Sequence, residues 1–475
     1  MNTPNLTRRL VEQALAITLS DVPASVKASA TDLITDTLGV AIAGINTDVG
    51  RLVIQYAAEM GGAPQSHALG ATTKVPAPMA AFVNGTLAHA LDLDDDEPLI
   101  FIGHVSAPVF ATVFAAAPRC EASGRDLLTA FITGVEAEFA LGRILNPRHY
   151  NSGHHATSSI GVLGASLAAS KMLGLSVDQA LNAFGFAAAH MLGLKRNFGT
   201  MTKPMHVGRA AEAAITAALL SSRAATASTS ILDGPAGLVD MYSDNSEEVV
   251  HDALDRLGLQ FGLDEPGVAI KQYPSCSNTH PAIDAMLQLR KETDVADISS
   301  IECFVAPGTE KMLQYPRPAN GLQAKFSMEY CLAVAAIHGA PWIEHFDDAA
   351  LEDAVVESCS RLITMRPDPR LVTSALGVTT AATVRLTLTD GRTRELTVRS
   401  PRGSQGSPLA RHEIYGKFRK CVSALSNEQS EALFAAASGI ESAPLADELL
   451  TTAVSFTSNP APLSLPEDSH DDPPH

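Results

Sequence analysis

The segment Thr202-Lys203-Pro204-Met205-His206-Val207-Gly208-Arg209 leads directly into an alanine-rich run over residues 210–220. The run is typical of an α-helix, and Pro204 suits the first helical position because its missing N–H would be unpaired there anyway. Lys203 is then predicted at or beside the N-cap, with His206 in the first turn. A lysine, a histidine and free backbone N–H groups at one helix start favour anion binding. Taken alone, the stretch slightly favours the alternative of a surface lysine and a packed histidine.

The composition predicts a mainly α protein. The chain has 475 residues, enough for two domains, and 46% of them are hydrophobic while only 5% are aromatic. Small residues recur along the helical stretches, which favours closely packed helices over a sandwich or a barrel.

Charge and cysteine content limit the function classes. The net charge of −18 argues against nonspecific nucleic-acid binding and against binding to an anionic membrane, although a local basic pocket could still hold an anionic substrate. The six cysteines form no C-x-x-C pair, which predicts a reducing compartment and no zinc site. Glu12 and Asp21 interrupt the apolar residues of the N-terminus, so no signal peptide is predicted. We therefore expect a soluble cytoplasmic protein.

The pattern of apolar residues changes near residue 266 and again near 409. We predict a large all-α domain over residues 1–266, a smaller α+β lid domain over 267–408, a helical return to the first domain over 409–455 and a disordered tail over 456–475. No stretch before residue 266 predicts a strand. Residues 298–305 are β-like, and the alternation on both sides of Asp390-Gly391 predicts a hairpin.

The acidic run Asp92-Leu93-Asp94-Asp95-Asp96-Glu97 follows a helix predicted over Ala77–Leu91. A calcium loop counted from Asp92 would need glycine sixth and glutamate twelfth, and the chain has Glu97 and Gly103 there, so an EF-hand is excluded. An isoprenoid-synthase type Asp-Asp-x-x-Asp helix is excluded because residue 98 is proline.

A solvated helix end is the other interpretation of the acidic run, but acids at a helix C-terminus are disfavoured by the dipole. We therefore weigh a functional role equally. Asp92 continues the helix face of Thr86 and His89, which favours an inward direction for its side chain.

Further candidates lie before predicted helices. His104 lies between glycine and proline just before a helix, and His154-His155 precedes another, so with Lys203 they predict a pocket where several helix starts converge. Lys271 ends an apolar strand and could supply a second cation, although a lysine extending from a strand end to solvent fits equally well. Cys276 lacks an identifiable base and is taken as structural.

These motifs together resemble the MmgE/PrpD family, which includes 2-methylcitrate dehydratase, cis-aconitate decarboxylase and iminodisuccinate epimerase. The resemblance covers about residues 5–450. The motifs that carry it are Asn84-Gly85-Thr86 through Asp95, Gly103-His104-Val105-Ser106-Ala107-Pro108, Thr202 through Gly208, and Lys271-Gln272-Tyr273-Pro274 with Thr279-His280.

The resemblance implies a large all-α domain with a smaller α+β lid, a homodimer, and no metal or organic cofactor. Carried over from the decarboxylase branch, the active-site residues would be Asp92, His104, His155, Lys203, Lys271 and Tyr315. A further position, threonine in that branch, is Asp96 here, and the segment between Asp94 and His104 is longer.

Resemblance and local chemistry together predict a lyase acting on a small di- or tricarboxylate, as a hydro-lyase or a carboxy-lyase. Lys203 and Lys271 would hold carboxylates, His104 or His155 would move a proton beside one of them, and Asp92 would orient a histidine. Tyr315 could donate to a developing oxygen. The alternatives are an isomerase or epimerase of a dicarboxylate, a non-catalytic carboxylate-binding protein, and a metal enzyme using the acidic run.

Overall fold

The computed structural model of the chain describes residues 5–372 and 381–457. Helices make up most of the part before residue 266. They are α1 Leu6–Ala16, α2 Ala24–Gly44, α3 Asp48–Met60, α4 Ala77–His89, α5 Ser106–Ala116, α6 Gly124–Leu145, α7 Arg148–Asn151, α8 Ala156–Ser159, α9 Gly161–Met172, α10 Val177–Ala188, α11 Thr202–Ser221, α12 Leu238–Tyr242 and α13 Glu247–Arg256.

The later part of the chain mixes helices with strands. Its helices are α14 His280–Leu289, α15 Thr309–Met312, α16 Gly321–Ala324, α17 Met328–Ile337, α18 Ala354–Ser360, α19 Arg411–Cys421, α20 Asn427–Ser438 and α21 Asp447–Thr457. The strands of the chain are β1 Asp95–Asp96, β2 Ala269–Ile270, β3 Ile298–Val305, β4 Ile363–Pro367, β5 Ala382–Leu388 and β6 Thr393–Val398. The predicted mainly α fold with a smaller α+β part is confirmed.

Local sequence sets several helix starts. Ser176 accepts a hydrogen bond from the backbone N–H of Gln179 while the Gln179 side chain accepts one from the N–H of Ser176, which is a capping box. Ser426 and Gln429 do the same for α20. These caps satisfy backbone N–H groups that have no partner within the helix.

Helices α4 and α11 approach each other closely because glycines lie at their contact. A Cβ on Gly85 would lie only 3.1 Å from the Cα of Gly208 and 3.2 Å from the carbonyl oxygen of Val207. Any larger residue would push the two helices apart. This contact matters for function, since it brings the end of α4, with its acidic run, beside the start of α11, with Lys203.

The larger sheet has the strand order β4-β3-β5-β6. Strand β3 pairs parallel with β4, Ile301 opposite Ile363, and antiparallel with β5, Cys303 opposite Val384. Strands β5 and β6 pair antiparallel and form the predicted hairpin. A separate two-stranded ladder joins β1 and β2, with Asp95 opposite Ile270 and Asp96 opposite Ala269.

Two large hydrophobic cores organise the chain. The first combines the helices before residue 266 with side chains from α19, α20 and α21, among them Phe418, Leu433 and Leu450. The second contains α14, α17 and the inner face of the larger sheet, and it also takes in Phe198. The ammonium group of Lys417 lies 2.8 Å from Asp36 Oδ2, so a buried ion pair also ties α19 to α2.

Several predictions of local structure were wrong. Helix α4 ends at His89 rather than Leu91, and the acidic run contains strand β1, although no strand was predicted before residue 266. Helix α11 begins at Thr202, so Pro204 is its third residue and Lys203 its second. In each case tertiary packing decides the boundary, which local propensity leaves open.

Two further predictions concern the C-terminal half. The sequence also predicts one helix over Ala349–Ser360, and the structure instead has a 3₁₀ turn at Asp348–Glu352 followed by α18. The disordered tail was predicted from Phe456, but α21 extends to Thr457; the remainder of that tail, residues 458–475, lies outside the described residues, as does Thr380 of the predicted hairpin.

Within the described ranges, no single helix has both the length and the apolar character needed to cross a bilayer. The pair α2 and α3 meets the two criteria when taken together, with a bend of 85° between its members.

Glu138 of α6 is a buried acid whose two carboxyl oxygens have no hydrogen-bond partner among the described residues. Burial raises the pKa of Glu138 well above its ordinary value, and the nearby Asp95 raises it further. The native state therefore keeps the Glu138 proton at a pH where the unfolded chain has lost it. Each pH unit above the unfolded pKa then lowers the free energy of unfolding by about 1.4 kcal/mol until the folded pKa is reached.

We expect Glu138→Gln to remove this pH dependence. The difference in free energy of unfolding between the variant and the wild type should rise from about pH 4.5 upwards with a slope of about 1.4 kcal/mol per pH unit. Urea unfolding at a series of pH values measures it. The substitution Glu12→Gln, on the exposed surface, is the control and should show no such slope. A flat difference for Glu138→Gln would mean that Glu138 is ionised in the native state.

Candidate active site

A cavity of about 240 Å³ lies where the two cores meet. Its wall combines polar side chains from the helical part with the loop at Cys276, Ser277 and Asn278 and the turn at Gly308. Four of the six predicted site residues line it, namely Asp92, His104, His155 and Lys203. His104 lies just before α5, His155 directly precedes α8, and Lys203 is in the first turn of α11. The starts of these three helices therefore meet at one cavity.

Asp92 is the central negative charge of this site. Its Oδ1 atom lies 2.7 Å from Lys271 Nζ, 3.1 Å from Lys203 Nζ and 3.6 Å from His104 Nε2. Burial alone would raise the pKa of Asp92, but the charges of Lys203 and Lys271 hold it well below its ordinary value. Asp92 is therefore a carboxylate at neutral pH, and its Oδ2 atom is buried with no hydrogen-bond partner among the described residues.

The backbone at the cavity is held in a sparsely populated conformation. Asp92 has φ 53° and Ile102, which also lines the cavity, has φ 60°. Such a φ is uncommon for aspartate and rare for a β-branched residue, and it costs about 1–3 kcal/mol at each position. Between them, Glu97 fixes the loop by accepting hydrogen bonds from the N–H groups of Leu99, Ile100 and Phe101. Strain of this kind, held in place by surrounding contacts, is typical of functional sites.

Asp94 orients two histidines. Its Oδ2 atom lies 2.8 Å from His89 Nδ1 and 3.3 Å from His104 Nδ1. Burial alone would lower the pKa of His104, but the charge of Asp94 raises it above its ordinary value. Burial lowers the pKa of His89 to about 3, so that ring stays neutral. His104 therefore favours the imidazolium form more than a free histidine does, with one carboxylate on each side of the ring.

His155 is the opposite case. Burial lowers its pKa well below the ordinary value, and the neighbouring His89 and Lys203 lower it further. The ring is 3% exposed and its Nε2 atom has no hydrogen-bond partner among the described residues. His155 is therefore neutral at pH 7. The site places two imidazoles with opposite pKa shifts on one small cavity, which separates their roles in proton transfer.

Lys203 supplies the cation that faces the cavity. Its ammonium group lies 5.4 Å and 5.5 Å from the ring centres of Phe198 and Phe326, and it has no hydrogen-bond partner among the described residues. A buried ammonium that retains unused N–H donors binds a carboxylate strongly, because water is excluded there. The alternative of a surface lysine is wrong, since Lys203 is only 5% exposed.

Lys271 and Tyr315, also predicted as site residues, do not line the cavity. Lys271 is buried behind Asp92 and donates a hydrogen bond to it, so its ammonium neutralises Asp92 and is not free to hold a substrate carboxylate. The Tyr315 hydroxyl donates to the carbonyl oxygen of Phe198 over 2.8 Å, and its ring packs against Gly199. In this structure Tyr315 therefore supports the Phe198 segment and does not point at a developing oxygen.

Sequence reasoning missed several residues of the site. Asp94 and His89 were quoted only as parts of motifs, and their burial was not predicted. Tyr150 was not named at all, and it lines the cavity beside Asp96, the buried residue hydrogen-bonded to Ser277 that the resemblance had already indicated. The two-residue spacing of Asp92, Asp94 and Asp96 is the one signal that could have indicated a shared environment, whereas nothing local to Tyr150 identifies it.

The acidic run is not solvated. All four of its aspartates and Glu97 are buried. This excludes the interpretation of the run as an exposed helix end.

The alternative of a metal site was predicted for the acidic run, but the group that could hold a metal ion combines one residue of that run with two histidines. His89, Asp94 and His104 each offer one ligand atom, all within 4.8 Å of one another. A metal ligand must be the neutral imidazole, so a metal ion and a proton would compete for the ring of His104. Asp94 is the carboxylate that the two rings share.

Comparison with known proteins identifies relatives over most of the chain. Residues 8–249 match the model of the MmgE/PrpD N-terminal domain and residues 273–439 that of the MmgE/PrpD C-terminal domain. The chain is similar to cis-aconitate decarboxylase of Homo sapiens, with 30% identity over 82% of this chain and 81% of the relative. It is also similar to cis-aconitate decarboxylase of Aspergillus terreus, with 24% identity over 89% of this chain and 90% of that protein.

Proposed function

The chain belongs to the MmgE/PrpD family, and on this basis we propose that it is a cofactor-independent lyase acting on a small di- or tricarboxylate. The observation that carries the proposal is the buried ammonium of Lys203, held by Asp92 on the wall of a cavity that also holds two histidines with opposite pKa shifts. The relatives named as cis-aconitate decarboxylases are carboxy-lyases, which supports the lyase class.

In the proposed mechanism Lys203 binds the carboxylate next to the reacting carbon. Loss of carbon dioxide leaves the electron pair of the broken C–C bond on that carbon, and loss of a proton leaves the pair of the C–H bond there. In both cases the charge spreads into the adjacent carboxylate, and the Lys203 ammonium stabilises it. In decarboxylation this electron pair then binds a proton from a histidine. In dehydration it expels hydroxide from the neighbouring carbon, and the hydroxide takes up a proton as it leaves.

The residues divide this work by their charge states. His104, which lies beside both Asp92 and Asp94 and whose pKa Asp94 raises, is the proposed proton donor. Asp92 and Lys271 form the fixed ion pair behind Lys203 and keep its ammonium in position. Dehydration, decarboxylation and epimerisation all pass through a carbanion beside a carboxylate, so the alternative function is an epimerase of a dicarboxylate.

Proton NMR of the chelator-treated protein in D₂O tests the proposal with citrate, 2-methylcitrate, cis-aconitate and iminodisuccinate. Loss of water or carbon dioxide from one compound would support the lyase. Deuterium incorporation or epimer formation without a new skeleton would replace it by the isomerase. Activity that returns only when a divalent metal is added would contradict cofactor independence.

Asp96 is expected to set the preference among these compounds. Its carboxyl group is on the cavity wall where the resemblance gives threonine, and a substrate carboxylate beside it would meet a like charge. We expect Asp96→Thr to change the substrate preference. The ratio of kcat/KM for cis-aconitate to kcat/KM for the other compounds of the panel should be about tenfold higher in the variant than in the wild type. Asp96→Asn, which removes the charge and keeps the shape, should act in the same direction. An unchanged ratio in both variants would show that Asp96 does not contact the substrate.

A homodimer and a cytoplasmic location are further parts of the proposal. The resemblance supports the homodimer, and the six free cysteines support the cytoplasmic location. Sedimentation equilibrium and fractionation of cells test the two points separately.

A further inference from the structure

His155 continues into a chain of side chains that leads away from the cavity. Its Nδ1 atom lies 3.3 Å from His206 Nδ1, and His206 Nε2 lies 3.4 Å from the side-chain amide nitrogen of Asn197. Helix α11 thus contributes Lys203 to the cavity and, three residues later, a histidine behind it. The short turn before α11 contributes Asn197. The mechanism above uses neither His206 nor Asn197.

An amide nitrogen only donates hydrogen bonds, so His206 Nε2 accepts one from Asn197. A neutral imidazole carries one proton, and in His206 that proton is then on Nδ1. His206 Nδ1 therefore donates to His155 Nδ1, which must accept. The single proton of neutral His155 is left on Nε2, the atom without a protein partner that belongs to the cavity wall.

We infer that Asn197 and His206 are positioning residues that fix His155 in the Nε2–H tautomer, so that His155 presents a proton donor to the substrate. The inference rests on the proposed function for the identity of the substrate and deepens it. Because Asp94 also raises the pKa of His104, proton-donating imidazoles are favoured over neutral imidazole acceptors on the cavity of the free enzyme.

Two donors favour a reaction that delivers a proton over one that begins by removing it. Decarboxylation makes its carbanion by loss of carbon dioxide and needs only a proton afterwards. Dehydration and epimerisation start with a base at the C–H bond. The tautomer of His155 therefore points to the carboxy-lyase among the candidate reactions.

The neutral state of both rings is consistent with their surroundings. Burial and the nearby Lys203 together lower the pKa of His206 to about 4. The titratable groups that face His155 are His89, Lys203, His206 and His104, all of which disfavour a positive charge on it. The Ser158 hydroxyl, which donates to the carbonyl oxygen of His206, holds the backbone of that residue in place.

The test is a two-bond ¹H–¹⁵N correlation spectrum of the full-length enzyme labelled in histidine, recorded at about pH 8. Signals are assigned by their loss in His155→Gln and His206→Gln. In the wild type we expect a protonated Nε2 and an unprotonated Nδ1 for His155, with the reverse for His206. Asn197→Asp offers an acceptor in place of the donor, so both tautomers should invert.

Kinetics gives the second readout. A positioned general acid contributes about 10²–10⁴-fold, so Asn197→Asp should lower kcat by about 10²-fold with little change in KM. Asn197→Ala removes the donor to His206 without offering an acceptor, so its kcat should lie between those of the wild type and Asn197→Asp. Arg196→Gln, in the same turn and exposed, is the matched control and should match the wild type in both readouts.

The outcomes separate this inference from the proposed function. An unprotonated His155 Nε2 in the wild type overturns the inference even where a lyase reaction is observed. Inactivity with every compound in the panel counts against the proposed function, while the wild-type spectrum still decides the tautomer. An Asn197→Asp variant with wild-type tautomers and wild-type kcat would also overturn the inference.

Discussion

Replacing Lys203 with methionine is expected to lower kcat/KM by about 10³-fold while the fold is retained. Methionine keeps an unbranched apolar side chain beside the rings of Phe198 and Phe326, and it lacks the positive charge of lysine. The loss follows because a preorganised donor at a developing oxyanion is worth about 10²–10³-fold, and here the donor is a buried cation. Steady-state kinetics with the substrate identified by NMR measures the change.

Stability should not fall with activity in this variant. Removing Lys203 ends its attraction to Asp92 but also its repulsion with Lys271 and His104, and Lys271 still neutralises Asp92. We expect the urea midpoint of Lys203→Met to equal or exceed that of the wild type. Lys171→Met, which removes a partly buried lysine bonded to the carbonyl oxygen of Leu15, is the control and should keep full activity. A Lys203→Met enzyme with wild-type kcat/KM would refute the role of Lys203.

Asp92→Asn is expected to lower the free energy of unfolding by about 3–5 kcal/mol and to abolish turnover. The loss arises because the Lys271 ammonium, 2% exposed and 2.7 Å from Asp92 Oδ1, would stay buried without its counter-ion. Burial alone lowers the pKa of Lys271, whereas Asp92 raises it above its ordinary value. A raised lysine pKa stabilises the fold at every pH below the unfolded pKa, so the full deficit should appear at pH 7.

The double variant Asp92→Asn/Lys271→Met makes this test specific. Removing both charges should recover most of the lost stability but none of the activity, since an unpaired buried charge is the cause of the instability. Asp36→Asn, which breaks the buried pair with Lys417 outside the cavity wall, is the matched control for a lost buried pair: similar destabilisation, with turnover retained at 25 °C because Lys417 keeps its hydrogen bond to the carbonyl oxygen of Leu93. A double variant as unstable as Asp92→Asn would show that the pair with Lys271 is not what Asp92 stabilises.

The sequence sufficed for the architecture because that information is local. The alanine-rich run after Lys203 predicts a helix, and Asp390-Gly391 between alternating stretches predicts the hairpin that β5 and β6 form. Each signal lies within a few residues of the structure it predicts. The end of α4 and the start of α11 each differ by two residues from the prediction, because local propensity does not define the terminal residue of a helix.

The sequence by itself, through its motifs and their resemblance to a family, was enough to name four ionisable residues that the structure brings to one cavity: Asp92, His104, His155 and Lys203. Only the tertiary structure decided what each group does. Lys271 and Asp92 are separated by 179 positions, yet their contact removes Lys271 from the list of free cations. The charge of an imidazole depends on burial and on carboxylates a few ångströms away, and these come from distant segments. That is why His104 and His155, alike in sequence context, have opposite pKa shifts.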